Sequence, residues 1–326
     1  MNHESINEFY NSRLFLVLTA IAFAVLSFVA WLSGEFPPLD TQGGVLFEPN
    51  HALFQGINSF LTSLAVTVCA ALLLHLLNKV FSFVRTYTFI AASSFLVLQL
   101  SVPVVSANYY AGATMCLATL VLSFILFGAY QQSGRSQRSI YLIFTLLAAC
   151  STFMYSTLFL VVAFAIGFAQ MRAMNLKGFI ALLLGLITPY WILFGLGLVD
   201  FSAFRLPQFT RLHSILDIPQ APVVIISIVG VAVLTVVLTV VNMFTIFNYR
   251  LQTRVYNAFF TTLATLSLLM MLIDINNILI YMSMLNMCLA VQVAHVFTIS
   301  KFAKKHFIYS VGLLAALLVY GANFLL

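Results

Sequence analysis

"IYLIFTLLAACSTFMYSTLFLVVAFAIGFAQM", residues 140–171, is an apolar run of 32 residues without a single charge. A helix crossing a hydrocarbon layer of roughly 30 Å needs about 20 residues. The run is too long for one crossing and short for two. Its neighbours decide: Arg135 and Arg138 precede it, and Arg172 and Lys177 follow it. If basic residues mark one side of a membrane, the chain must cross and come back. The reversal is expected at the polar patch "CSTFMYS", residues 150–156, leaving two short or tilted spans over 140–153 and 157–171.

The rest of the chain agrees that the solvent is lipid. Of 326 residues, 63% are hydrophobic and 7% charged, against roughly a quarter charged in a soluble domain. The other apolar runs are 14–32, 53–77, 87–104, 111–130, 178–199, 223–247, 257–273, 278–300 and 307–325. A helix is expected for each, since only helices and closed barrels satisfy every backbone group in lipid. The alternation of barrel strands is missing. The expected fold is all-α, a polytopic transmembrane helix bundle of about 11 spans, forming one integral membrane domain over residues 1–326. The run 14–32 reads as a retained span rather than a signal peptide. Glu4 and Glu8 lie in its leader, and no small-residue cleavage site follows.

Charge falls into register with this count. Arg13, Lys79, Arg85, Arg135, Arg138, Arg172, Lys177, Arg250, Arg254, Lys301, Lys304 and Lys305 all fall on one side. Six of the eight acidic residues fall on the other. The amino terminus is then inside and the carboxyl terminus outside. The net charge of +6 is an orientation signal and a contact with anionic lipid heads, not a nucleic-acid surface. The four cysteines lie in apolar runs without CxxC spacing. They read as small buried hydrophobes, and no metal site is expected. His75 and His295 sit near inner ends and read as structural.

All eight prolines and both tryptophans lie toward the outer face, so any cavity is expected to open outward, with Pro103 and Pro189 bending their helices. The opening loop "GEFPPLDTQGGVLFEPNH", residues 34–51, gathers Glu35, Asp40 and Glu48 beside His51. Its candidates for catalysis are Asp40, then Glu48 and Glu35. Candidates for substrate binding are Asn108 and Tyr109 after the third span, and Arg205, Arg211 and His213 within 200–222. That segment reads as an amphipathic interfacial stretch. "DINN", residues 274–277, reads as a polar hairpin turn.

The stretch "LKGFIALLLGLITPYWILFGLGLVDF" (176–201) resembles an uncharacterised family of multi-spanning inner-membrane proteins from Bacteroidota. "INSFLTSLAVTVCAALLLHLLNKV" (57–80) and "SKFAKKHFIYSVGLLAAL" (300–317) agree with it in order and spacing. The resemblance implies the bacterial inner (cytoplasmic) membrane and no known activity; the orientation read from charge then puts the carboxyl terminus in the periplasm. More distantly, residues 57–192 look like the scaffold of C-type glycosyltransferases, which use lipid-phosphate-linked sugars. There an acidic residue just after the first span is the catalytic base or a metal ligand. The opening loop stands in that place.

Three functions fit this reading. The leading one is a non-catalytic subunit or scaffold of cell-envelope assembly, meeting other membrane subunits along helix faces through small residues such as Gly185, Gly195 and Gly197. The second is a membrane-embedded, glycosyltransferase-like enzyme acting on a lipid-linked substrate at the periplasmic face. It alone calls for a cofactor, a divalent metal. A transporter or flippase is disfavoured, because no charged residue falls mid-span.

Overall fold

The computed structural model of the protein describes residues 8–36, 44–46, 55–84, 88–131, 136–200, 221–246, 250–298 and 305–325. Among these residues the structure is all-helical, with no strand. The helices are α1 (Arg13–Ser33), α2 (Gly56–Phe81), α3 (Ile90–Leu100), α4 (Pro103–Ala107), α5 (Ala111–Gln131), α6 (Ser136–Phe153), α7 (Phe159–Gln170), α8 (Leu176–Gly195), α9 (Ala221–Ile246), α10 (Leu251–Ile273), α11 (Ile278–Thr298) and α12 (Lys305–Ala322). Short 3₁₀ turns at Tyr155–Leu158 and Ile275–Asn277 lead into α7 and α11. Eight helices are long and apolar enough to cross a membrane, namely α1, α2, α5, α8, α9, α10, α11 and α12. The runs at 87–104 and 140–171, which carry three of the eleven expected spans, are built instead from shorter or less apolar pieces.

The helix boundaries have local causes. The Ser12 hydroxyl accepts from the Phe15 amide and caps α1, and Gly34 ends it in the left-handed region at φ 67°. Asn175 caps α8 by accepting from the Gly178 amide at 2.7 Å. At 87–104 the expected single bent helix is interrupted outright. Pro103 has no N–H to return to the Gln99 carbonyl, and in a continuous helix its ring would crowd that carbonyl. The chain becomes extended at Val102 (φ −126°, ψ 91°) and restarts as α4 with Pro103 in its first turn. Helix α6 ends where the hydroxyls of Ser151 and Thr152 donate back to the carbonyls of Ala148 and Ala149, each at 2.7 Å. Such back-bonding competes with the helical ladder. Met154 is then extended (φ −152°, ψ 109°), and the chain turns into α7.

Helix α11 is the axis of the bundle, buried nearly all round and packed by α3, α5, α9 and α10. Two of its polar side chains, Asn286 and Gln292, find partners across these contacts. Asn286 Nδ2 donates to the Leu98 carbonyl at 3.2 Å, and Asn242 of α9 bonds to Gln292. In hydrocarbon each such bond adds well under 2 kcal/mol, but leaving the group unpaired would cost more. The outermost helices invert the soluble pattern. Trp191 on α8, Ile226 on α9 and Leu318 on α12 are exposed among other large apolar side chains. A monomer in water rarely tolerates such surface; lipid requires it.

Candidate functional site

Basic residues stand in the terminal turns of six helices at one end of the bundle: Arg13 of α1, Lys79 of α2, Arg138 of α6, Lys177 of α8, Arg254 of α10 and Lys305 of α12. A cluster of buried polar residues gathers at the opposite end. Asp274 closes α10, its amide donating to the Met270 carbonyl at 2.8 Å. Of the acidic residues described (Glu8, Glu35, Asp200 and Asp274) it is the one that is buried. The 3₁₀ turn and the first turn of α11 bring Asn277 and Tyr281 back onto it. Asn277 Nδ2 donates to Asp274 Oδ2 at 2.9 Å, and the Tyr281 hydroxyl donates to the same oxygen at 2.8 Å. Neither reaches Oδ1. Burying a carboxylate costs several kcal/mol, and charge-assisted bonds of this kind offset part of it.

Three further elements converge here. From the turn between α6 and α7, Ser156 approaches the Tyr281 phenol. From α7, Phe159 meets the Tyr281 ring edge-on at 5.3 Å. From the corner before α5 comes Tyr110, itself buried. Burial, and after it the Asp274 carboxylate nearby, push the Tyr110 phenol well above its ordinary value. The phenol therefore stays protonated next to the acid.

The opening loop reaches this neighbourhood. The Gly44 amide donates to the Phe153 carbonyl at 2.7 Å, and the Leu46 amide donates to the Thr152 carbonyl at 2.8 Å. These are two of the carbonyls that the end of α6 leaves without helical partners. A Cβ at Gly44 would stand 2.3 Å from the Thr152 carbonyl oxygen, so no larger residue fits there.

The predicted site residues divide sharply. Asp40, Glu48, Arg205, Arg211 and His213 lie outside the described residues, as does nearly all of the interfacial stretch 200–222. Glu35 is exposed just after the end of α1, with its amide donating to Ser33 Oγ at 3.4 Å. Asn108 Nδ2 donates to the Phe36 carbonyl at 2.8 Å and ties the start of the opening loop to the α4–α5 corner. The Tyr109 amide donates to Ser59 Oγ at 2.7 Å, and its hydroxyl bonds to Thr114 at 3.0 Å. Both residues serve the fold. Burial, partly countered by Thr114, raises the Tyr109 phenol.

Sequence reading set Asp274 aside as a turn residue and passed over Asn277 and Tyr281. One signal was present: Asp274, Asn277 and Tyr281 are spaced three and four apart, which puts them on one helical face. Gly185 also changes role. Its Cα lies against α6, where a Cβ would fall 2.8 Å from the Tyr141 carbonyl oxygen. It is therefore consumed inside the chain rather than offered to another subunit.

The cysteines are free, and among the described residues no three His, Cys, Asp or Glu side chains converge on a metal position. No known protein family, curated protein or solved structure matches the chain.

Proposed function

We propose that the chain is a non-catalytic, multi-spanning subunit of a cell-envelope assembly in the bacterial inner membrane. It would cross eleven times, with its amino terminus cytoplasmic and its carboxyl terminus periplasmic. The alternation of basic segments supports the orientation, and the resemblance to Bacteroidota inner-membrane proteins supports the location. The observation that carries the reading is how the end opposite the basic residues is built. Asp274 Oδ2 is taken by Asn277 and Tyr281, Asn108 by Phe36, Tyr109 by Ser59 and Thr114, and Ser151 by Tyr190. These contacts hold helices and loop together. The large apolar faces of α8, α9 and α12 are then available to lipid and to other membrane subunits.

A second reading has one observation in its favour. Asp274 is a buried carboxylate close to the interruption between α6 and α7, where residues 44–46 attach. In a lipid-linked glycosyl transferase it would join Asp40, Glu48 and Glu35 as a candidate base. Arg205 or Arg211 would hold the phosphate, and a divalent metal would belong to this reading alone. Complementation of a chromosomal deletion by the combined variant Asp274→Asn, Asp40→Asn, Glu48→Gln separates the two. Full rescue at unchanged protein level is the result expected of a non-catalytic subunit. Loss of rescue with the protein still present would transfer the case to the transferase.

A further inference from the structure

A cleft of about 190 Å³ runs between α3, α9, α11 and α12, walled by side chains such as Leu98, Leu238, Val293 and Leu313. Its surface is apolar apart from one end, where Lys305 closes it with Nζ 5.3 Å above the Phe297 ring. The hydroxyls of Ser94 and Tyr309 on its wall bond to each other at 3.1 Å and make no demand on a ligand. At Gly312 the wall is missing: a Cβ there would meet nothing within 4 Å. Helix α12 barely packs on the bundle, with Tyr309 and Tyr320 its buried residues, so the space beneath it is not filled by protein.

The charge at this end is placed against the helix dipole. Lys305 occupies the first turn of α12, and no acidic residue accompanies it there. A cation at a helix amino terminus faces the positive pole and is disfavoured. Lys301 and Lys304 lie just before it in sequence. A helix start, a lysine and an apolar trough in line with it match a single amphiphile, one with a long alkyl chain and an anionic head.

The geometry points to a binding site for an anionic phospholipid, with one acyl chain lying in the cleft past Gly312 and its phosphate held at Lys305. The chain supplies burial in a space that protein leaves open, and the head neutralises the charge that the dipole opposes. The site is independent of Asp274 and of the function proposed above.

Native mass spectrometry of the purified full chain, with phosphatidylglycerol and phosphatidylcholine in equal amounts, reads this out. Wild type should retain phosphatidylglycerol in preference. Lys305→Gln should reduce that preference about fivefold, the effect of one basic residue near a lipid head. Lys177→Gln, at the same end on α8, should leave it unchanged. Gly312→Phe should fill the cleft and release both lipids while the variant stays folded by circular dichroism. If Gly312→Phe does not fold, Ala316→Phe, further along the same wall, replaces it. Inorganic phosphate in excess should displace nothing, because the acyl chain is part of the ligand. Equal retention of the two lipids by wild type would overturn the site. So would an equal loss with Lys177→Gln, displacement by phosphate alone, or lipid retained by a folded cleft-filling variant.

Discussion

The ring centroids of Phe144 and Phe168 lie 6.3 Å apart, on opposite sides of the extended residue Met154. One continuous helix would hold them about 36 Å apart at 1.5 Å per residue. The long apolar run therefore doubles back on itself within the bundle. Two short arms replace one overlong helix, and their turn carries Ser156 to Tyr281. The reversal that lets the basic residues share a side also builds the polar cluster at the other end.

The reversal has a direct consequence for accessibility. In a chain whose native cysteines are replaced, Phe153→Cys should react with a membrane-impermeant maleimide from the periplasm. Gln137→Cys should react only once the inner face is opened; both positions are exposed. Reaction of both from one side would end the two-arm crossing and invert every later span.

The attachment of the opening loop depends on one glycine. A methyl group at Gly44 would meet backbone atoms of Ser151 and Thr152 between 2.3 and 2.6 Å away, and backbone cannot step aside as a side chain can. Gly44→Ala should lift residues 44–46 off α6 and free the Thr152 and Phe153 carbonyls. The loss should be about 1–3 kcal/mol of stability. Hydrogen exchange should show faster exchange of the amides of Gly44 and Leu46. Unchanged exchange would mean that the contact contributes nothing.

At Asp274 the series matters more than any one variant. Asp274→Ala removes the acceptor and strands the Asn277 amide and the Tyr281 hydroxyl in a buried place, at about 1–3 kcal/mol each. Asp274→Asn keeps a carbonyl oxygen for one or both donors and should be far milder. Thermal unfolding in detergent should rank wild type and Asn close together, with Ala well below. An Asn variant as unstable as Ala would show that the negative charge itself holds the corner.

The sequence made the long spans legible because lipid demands unbroken apolar length. The run 14–32 became α1, and the end of 257–273 is the end of α10. It was less informative wherever the helix stops inside an apolar run. Nothing in hydropathy distinguishes a helix bent at Pro103 from one interrupted before it, since the extended residue Val102 is itself apolar. The opposite error arose at Asp274. A polar residue at a corner is usually in water, and only the way α10 and α11 close on Tyr110 and Ser156 turns it inward. Among the loop acids, Glu35 alone is described, and it is exposed.

The packing of α8 depends on two small residues. Its buried positions are Gly178, Leu182 and Gly185, spaced four and three apart, the repeat of a left-handed helix pair. Both glycines face α6, the helix with which α8 packs most extensively. At Gly185 a Cβ would lie 2.8 Å from the Tyr141 carbonyl oxygen and 3.1 Å from the Thr145 amide nitrogen. The two backbones touch there, as small residues allow in membranes. The contact is tied further out by Ser151 and Tyr190, whose hydroxyls are 2.6 Å apart. Gly185→Ala should push α8 away from α6, lengthen that hydroxyl pair and lower the unfolding temperature in detergent. Gly185→Leu should do so more strongly. Gly195→Ala is the control, since a Cβ there meets only the Trp191 side chain, at 3.5 Å, and should be tolerated. If Gly185→Ala unfolds at the wild-type temperature while Gly195→Ala destabilises the protein, α8 is held by its far end rather than by the glycine contact, and the small-residue account of this pair fails.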